Sequence, residues 1–319
     1  MTAIRLRVAT CKQLPEPDPD EAPLAIALAA GGFAAELLGW DDPAVDWDAP
    51  IPTILRSTWN YPLAVDAFRA WIDRVSRAAP LINPRDVVLS NVEKRYLLEL
   101  DARGVPVVPT LVVERGAACE LTAIVLAGAQ PTGGDIAAIS ALAALRGAAS
   151  IVIKPEVGAA SLDARRFAPD DPAAHAHLAA LTGRGAALVQ PYVASVADHG
   201  ERSLVWIDGE LTHAIRKGPR FSGDHERVTG LVAITHDERA VAIAALAPIA
   251  DRILYGRVDL ARDGAGLPMV MELELVEPSL YFEHQPGTAE RYVAGLRRYL
   301  EAPPGDRSGA TGAGGPASM

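Results

Sequence analysis

Cysteine is almost absent from this 319-residue sequence, which contains only Cys11 and Cys119. Two cysteines this far apart form neither a disulfide framework nor a recognisable set of metal ligands. The chain also lacks an apolar run of the about 20 residues needed to cross a bilayer, and its N terminus does not have the pattern of a signal peptide. These absences predict a soluble, cytoplasmic protein with two unpaired thiols and no membrane partner.

Positive charge is also scarce, because 30 Lys and Arg residues stand against 40 Asp and Glu residues and the net charge is −10. Broad binding to nucleic acid needs clustered cations that displace counterions from phosphates, so no nucleic-acid partner is expected. An anionic nucleotide could bind only at a local group of cations, with the help of metal ions.

Motifs of three common enzyme classes are missing. The Gly-rich turn of dinucleotide-binding proteins would follow the first strand, but residues 11–18 read CKQLPEPD, which argues against a Rossmann-type oxidoreductase. Neither a GxxxxGK[ST] phosphate loop nor a GxSxG nucleophile motif occurs. The chemistry of this chain therefore rests on other residues.

Alternating strand and helix patterns in the first 85 residues predict an open α/β sheet, with strands at 4–10, 34–38 and 53–56 (the last two as buried parallel strands) and helices at 22–30 and 63–79. Half of the residues are hydrophobic but only 5% are aromatic, so the core is predicted to be aliphatic. Later patterns predict helices at 91–103, 136–145, 240–254 and 290–300, and strands at 107–113, 151–154, 186–192, 203–207, 211–216, 257–260 and 269–276. The residues from 302 onward lack periodicity and are predicted to be disordered.

The segment MVMELELVEP at 269–278 carries the strongest local signal. In a strand, Glu272 and Glu274 project from one face while Met271, Leu273 and Leu275 project from the other and are expected to pack into the core. A hairpin would bring Asp259 on the preceding strand beside Glu272. Three carboxylates at one place would repel one another unless a cation bridges them, and Mg²⁺ prefers such oxygen ligands. The alternative is a solvated acidic face on an edge strand.

Lysine 154 ends an apolar strand and is followed by Pro155 and a loop of small residues, a context that can bind phosphate. The alternative is an exposed lysine at a strand end. Lys94 and a group of cations around one hairpin favour the anion site; the group comprises Arg202, Arg216, Lys217 and Arg220.

The order of these features along the chain resembles the order of motifs in the ATP-grasp ligases. It runs from the helix at Lys94 through KPEVGAAS, QPYV and GERS…DGE…IRK to RVD…MELE, and covers residues 84–300. Glu274 departs from the family pattern, which has asparagine there. The resemblance implies an α/β fold with α+β lobes: an N-terminal open parallel-sheet domain (1–85), two ATP-grasp lobes (86–190 and 191–301) and the tail (302–319).

The resemblance also implies site residues, position by position. Lys94 and Lys154 would bind the α- and β-phosphates, and Arg216, Arg202 or Arg257 the γ-phosphate and acyl phosphate. Adenine would be bound by Gln190, Tyr192 and Val193, and the ribose by Asp198 or Glu201. The metal ligands would be Asp259, Glu272 and Glu274. The metal would be two Mg²⁺ ions, or Mn²⁺, and the loop up to about residue 165 would be a flexible lid.

The reaction implied by the resemblance is attack of a substrate carboxylate on ATP, followed by displacement of phosphate by an amine or related nucleophile. Small amino-acid ligases, glutathione-synthetase-like proteins and the synthetases that close the D-cycloserine ring all resemble this chain, so the small, amino-acid-like substrate stays open. Alternatives are intramolecular ring closure and a module that binds nucleotide or a small anion without turnover. A homo-oligomer is compatible with the sequence.

The segment LRSTWNYP at 55–62 is expected on the substrate side, because it follows a strand and is both polar and aromatic. Arg56 could hold a carboxylate, and Thr58, Trp59 and Tyr61 could line the pocket. The alternative is that the aromatic rings pack on the next helix. Arg220 and the loop at 221–230, which includes His225, are expected near the acceptor, although His225 could equally be an exposed loop residue.

Overall fold

Parallel strands form the first sheet, as the alternating pattern predicts. The computed structural model describes residues 3–117, 136–221 and 227–301. The sheet has the order β2-β1-β3-β4 and consists of β1 (Ile4–Thr10), β2 (Phe33–Gly39), β3 (Thr53–Leu55) and β4 (Leu81–Ile82). Helices α1 (Glu21–Ala30) and α2 (Val65–Ala78) connect these strands.

Two predictions for this sheet have different outcomes. Strand β3 is fully buried, as expected, but β2 lies at the sheet edge and its residues 34–37 are exposed. An apolar run predicts a strand but does not indicate whether a neighbour covers it. Helix α2 buries the four apolar side chains predicted from its spacing, which are Phe68, Trp71, Ile72 and Val75.

The second sheet is antiparallel, with the order β5-β8-β6-β7. Its strands are β5 (Leu111–Val113), β6 (Ile151–Pro155), β7 (Arg165–Phe167) and β8 (Ala187–Pro191). The helices of this region are α3 (Arg85–Asn91), α4 (Tyr96–Ala102), α5 (Ile136–Arg146) and α6 (Pro172–Thr182). The single helix predicted at 91–103 is therefore wrong in its first turn, since α3 ends at Asn91 and Lys94 lies in the turn before α4.

The third sheet is also antiparallel, with the order β11-β10-β9-β12-β13. Its strands are β9 (Glu201–Ile207), β10 (Glu210–Lys217), β11 (Val228–Val232), β12 (Tyr255–Arg262) and β13 (Pro268–Glu274). Helices α7 (Ser195–Asp198), α8 (His236–Leu246) and α9 (Thr288–Glu301) accompany it. The predicted hairpin is confirmed, and Asp208 and Gly209 form its turn with φ of 51° and 80°.

Two predictions in this part of the chain are wrong. The helix expected to reach residue 254 ends at Leu246, shortly before Pro248, whose ring and missing N–H do not suit a helix interior. Residues 228–230, predicted as part of a loop, belong to β11.

Buried asparagines join the first part of the chain to the third sheet. The Asn83 amide donates to the carbonyls of Tyr255 and Leu275 at 2.9 Å, and its oxygen accepts from the Leu254 N–H. Asn91 exchanges hydrogen bonds with Leu273 and Leu275 along the edge of β13. These contacts satisfy strand-edge groups that would otherwise be buried without partners.

In the described ranges, no helix is both long and apolar enough to cross a membrane. The predicted disordered tail at 302–319, Cys119 and His225 lie outside the described residues.

Candidate functional site

A pocket with a cavity of about 210 Å³ lies where the three sheets face one another. Its walls carry many charges, although the core is not as aliphatic as predicted, since Trp47, Phe68 and Tyr255 are among its largest fully buried side chains. The charged lining residues are Glu16, Lys94, Lys154, Glu201, Lys217, Arg220, Arg257, Asp259, Glu272, Glu274 and Glu277. Such a concentration of opposite charges is typical of sites that bind charged ligands.

The β12–β13 hairpin brings the three predicted carboxylates to this pocket. Asp259 pairs with Glu272 in the strand register, as expected, and Arg257 pairs with Glu274. A bulge interrupts the register after Asp259, and Met271 lines the pocket instead of packing into the core. The predicted core position of Met271 is therefore wrong, because an extra residue in one strand changes the side to which its neighbours point.

Asp259 is buried between two cations. Arg257 donates to both of its oxygens at 2.9 and 2.8 Å, and the Lys217 ammonium lies 3.2 Å away. Burial raises the pKa of the Asp259 carboxyl, but the charges of Arg257 and Lys217 outweigh burial and hold that pKa well below its usual range. Lys217 also contacts Glu201 at 2.6 Å, and burial raises the pKa of Glu201 to about 7 despite that partner.

The two predicted phosphate-binding lysines differ in their surroundings. The Lys94 ammonium lies 3.0 Å from Glu272 and donates to the Gly158 carbonyl at 2.5 Å. Burial lowers the pKa of Lys94, but Glu272 outweighs burial and raises that pKa overall. In the described part of the chain no carboxylate lies within 4.0 Å of the Lys154 ammonium, and burial lowers the pKa of Lys154. A bound anion would stabilise its charged form.

Glu274 contacts Arg257 at 2.5 Å. Burial nevertheless raises the pKa of Glu274 to about 7, with repulsion from Asp259 and Glu272 adding to the effect. The positive charge of Arg257 therefore does not fully offset the burial of Glu274 and its repulsion from Asp259 and Glu272.

Within the described ranges, no group of three or more His, Cys, Asp or Glu side chains is arranged to hold a metal ion. Asp259, Glu272 and Glu274 each contact a lysine or arginine instead. Their carboxylate oxygens are nevertheless the ligands that Mg²⁺ prefers, and all three line one pocket. The donor set therefore fits the metal chemically.

Arg216, Arg202 and Asp198 lie away from the pocket. Arg216 donates to the carbonyls of His199 and Asp198, and Arg202 contacts Glu238 and the Ala233 carbonyl. Side chains alternate along a strand, so Lys217 reaches the pocket from β10 where Arg216 does not. The sequence analysis counted Lys217 among the cations that favour an anion site but gave the phosphate role to Arg216, Arg202 or Arg257; on β10, Lys217 pairs in register with Glu201.

Arg56 is also placed elsewhere. It is 2% exposed and forms an ion pair with Asp20 at 2.9 Å. Trp59 and Tyr61 line the pocket, and the Trp59 indole donates to the Glu277 carbonyl at 3.1 Å. Tyr61 also stacks on Phe68 of α2 with ring centroids 4.7 Å apart, so its ring both lines the pocket and packs on the next helix. Thr58 is fully buried and is not among the lining residues.

Arg220 contacts Glu16, which comes from the loop after β1. Both residues line the pocket, so the segments that follow β1 and β10 meet there.

The end of β8 and the loop after β6 form the remaining walls. Gln190, Tyr192 and Val193 line the pocket, together with residues 158–162 and Ala164 of the predicted lid. The Gln190 amide donates to Thr110 at 2.8 Å. The Arg166 guanidinium lies 3.7 Å from the centre of the Tyr192 ring. The lid and the predicted adenine strand therefore face the same cavity.

Comparisons with known proteins agree with this architecture. Residues 6–83 match a family model described as the N-terminal domain of D-cycloserine synthetase DcsG. The cycloserine biosynthesis protein DcsG of Streptomyces lavendulae is 36% identical over 305 residues, which are 89% of this chain and 95% of that protein.

Solved structures show the same relationship. The crystal structure of D-cycloserine synthetase DcsG has a TM-score of 0.80 at 35% identity, and the alignment covers 93% of this chain and 99% of that one. The ATP-grasp ligase PsnB, in complex with a minimal precursor, has a TM-score of 0.57 at 16% identity and coverages of 92% and 98%. The second similarity concerns the fold alone.

Proposed function

The chain belongs to the family of ATP-grasp ligases that includes the cycloserine biosynthesis protein DcsG, and from this premise we propose that it closes a ring within one amino-acid substrate. Family membership makes it an ATP-dependent, ADP-forming C–N ligase. The relative's name points to a cyclic amide as product. The ring of cycloserine contains a bond between the carboxyl carbon of a serine skeleton and a nitrogen on its side-chain oxygen. A serine derivative that carries this nitrogen is therefore the proposed substrate class.

The observation that carries the proposal is the convergence of Lys94, Lys154, Lys217 and Arg257 with three carboxylates in one pocket. Lys154, which has no carboxylate within 4.0 Å in the described ranges, would bind the phosphates of ATP together with Lys94. The strand end at Tyr192 and Val193 would hold the adenine. Glu201 lines the pocket and Asp198 does not, which favours Glu201 of the two acids considered for the ribose.

Asp259, Glu272 and Glu274 would hold the divalent metal, proposed as two Mg²⁺ ions with Mn²⁺ as a substitute. The bound metal would neutralise phosphate charge. Lys94 and Arg257, which contact these carboxylates, would lie beside the metal-bound phosphates. Arg257 and Lys217 replace Arg216 and Arg202 as the proposed γ-phosphate ligands, because they line the pocket.

The proposed reaction has two steps. A carboxylate oxygen of the substrate forms a bond to the γ-phosphorus of ATP while the bond to the β,γ-bridging oxygen breaks, which gives an acyl phosphate and ADP. The nitrogen of the same molecule then attacks the acyl carbon, loses a proton, and phosphate leaves. Arg257 and Lys217 would stabilise the negative charge on the transferring phosphoryl group, and the pocket walls would align the two reacting ends.

The experiment that tests this function measures ADP release with a panel of amino acids in the presence of Mg²⁺. Only serine derivatives with nitrogen on the side-chain oxygen should give ADP and a cyclic product without a second amine. ADP release that requires a separate amine would favour the ligation of two molecules, and no ADP release with any acid would reject the proposal.

The Glu272→Gln variant provides the matched test of the metal site. Loss of one carboxylate from the metal ligands should reduce turnover by about 100-fold or more, while the far-ultraviolet circular dichroism spectrum stays that of the parent protein. Glu36→Gln is the control, because Glu36 lies on exposed strand β2 and its ion-pair partner is Arg5 at 3.7 Å. Normal turnover in Glu272→Gln would remove Glu272 from the metal site.

A further inference from the structure

Glu277 is a buried acid in the pocket that the chemistry above does not use. It follows β13, is 8% exposed, and lines the pocket together with Trp59 and Tyr61. Among the described residues none donates a hydrogen bond to its carboxylate or forms an ion pair with it. A buried carboxylate without a partner is costly, so it commonly marks a place where a ligand supplies the missing charge.

The neighbouring cations already have partners. Lys94 contacts Glu272, and Arg257 contacts Asp259 and Glu274. Burial raises the pKa of Glu277 to about 8, with repulsion from Glu274 and Glu272 adding to the effect and Lys94 and Arg257 opposing it. A cationic group of a ligand beside Glu277 would favour its charged form.

The position of Glu277 restricts what that cation can be. Its backbone carbonyl accepts a hydrogen bond from Trp59 at 3.1 Å, which fixes the residue against the wall contributed by the first sheet. Glu277 lines the same pocket as Trp59, Tyr61 and the acids of the hairpin. An ammonium group is compact, positively charged and carries three donors, and it fits an acid beside aromatic walls.

We propose that the Glu277 carboxylate binds the α-ammonium group of the substrate and thereby selects amino acids over carboxylic acids that lack an amino group. The proposal rests on the proposed function, because it assumes that the carboxylate to be activated belongs to an amino acid. With the ammonium group held at Glu277, the α-carboxylate is directed toward Arg257 and the phosphate site, and the side chain remains free to fold back for ring closure.

Binding to the Mg-ADP-loaded protein tests the proposal without any turnover. The probes are O-methyl-D-serine and 3-methoxypropanoate, which have the same chain and carboxylate but differ in the ammonium group. Calorimetry of the wild-type protein should give an affinity about 10- to 100-fold higher for the amino acid. In Glu277→Gln this ratio should fall to near one, while Glu277→Asp, which keeps the charge, should retain a preference.

Glu283→Gln is the matched control, since Glu283 is exposed and its only described ion-pair partner is His284; it should keep the wild-type ratio. An unchanged ratio in Glu277→Gln overturns the proposal, as does a wild-type protein that binds both probes equally or neither. If Glu277→Gln no longer binds Mg-ADP, Glu277→Asp decides, and a ratio near one there also overturns it. Absence of ADP release would reject the proposed function but would leave this binding result standing.

Discussion

Lys154 differs from the other lysines of the pocket because no carboxylate within the described ranges lies within 4.0 Å of its ammonium group. Burial lowers its pKa, and an anion bound beside it would stabilise its charged form. Lys154→Met should therefore weaken ATP binding about 10- to 100-fold, the value of a charged hydrogen bond to phosphate. Calorimetric titration with ATP measures this change.

Lys12→Met is the control for that titration, since Lys12 is exposed and pairs with Asp42 at 3.2 Å outside the pocket. Equal ATP affinities for Lys154→Met and the parent protein would mean that Lys154 does not contact the phosphates.

Arg257 and Arg216 allow a comparison between an arginine in the pocket and one outside it. The Arg257 guanidinium bridges Asp259 and Glu274 and donates to the Ser279 carbonyl, which a lysine ammonium cannot reproduce because it lacks the planar fork. Arg257→Lys should lower kcat by about 100-fold, whereas Arg216→Lys should stay within about twofold of the parent. Steady-state ADP release measures both, and equal losses would contradict the assignment.

These two arginines also show what could be predicted at the residue scale. The predicted hairpin correctly gave Asp259 as the neighbour of Glu272, whereas the alternation rule gave the wrong side for Met271. The same rule could not decide between Arg216 and Lys217, because consecutive residues of a strand face opposite sides and the sequence does not say which side holds the pocket. Glu277 was missed because it follows the strand, where no periodicity applies.

At the scale of single elements, His213 connects β10 to the segment after β13. Its Nε2 donates to the Leu280 carbonyl at 3.0 Å. Burial, with a smaller effect of the nearby His284, lowers the pKa of His213 to about 4. In the unfolded chain the pKa is about 6.5, so between these values the unfolded state binds a proton that the folded state does not. Stability should therefore fall as the pH drops from about 6.5 to 4, by at most about 3 kcal/mol.

Urea unfolding of the parent protein and His213→Gln at pH 7 and pH 4.5 checks this linkage. The variant should lose less stability on acidification, because the protonation that favours the unfolded state has been removed. Acids with raised pKa values, such as Glu201 and Glu274, change stability in the opposite direction, but they are present in both proteins and cancel in the comparison. Identical pH dependence in the two proteins would exclude His213 as its source.

Element types were predictable where a strong local pattern existed. The β9–β10 hairpin follows from the turn residues Asp208 and Gly209, and α2 follows from its apolar spacing. The exposed position of β2 did not follow, since a neighbouring strand or helix, and not the strand's own sequence, determines burial.

At the scale of the whole molecule, a buried ion pair joins the first sheet to the segment after β13. Asp20 is 0% exposed, accepts from Arg56 at 2.9 Å, and also accepts from the backbone N–H groups of Leu280 and Phe282. The sequence analysis placed Arg56 in the substrate pocket because a polar residue at a strand end suggests a site. A pairing across 36 positions has no local signature, so only the assembled fold reveals it.

Removing either partner of this pair should destabilise the protein strongly. Asp20→Ala leaves the Arg56 charge buried and unpaired, and Arg56→Met leaves the Asp20 charge with only backbone donors; each should lower the free energy of unfolding by about 3–5 kcal/mol. The double variant should lose clearly less than the sum of the two, because no buried charge remains without its partner. Urea unfolding of the parent protein, the two single variants and the double variant measures the free energies of this double-mutant cycle. Strictly additive losses of unfolding free energy would show that the two charges do not act as a pair. Asp20 also holds the backbone beside Ser279, whose carbonyl accepts a hydrogen bond from Arg257. The destabilised variants should therefore lose ADP-forming activity together with stability.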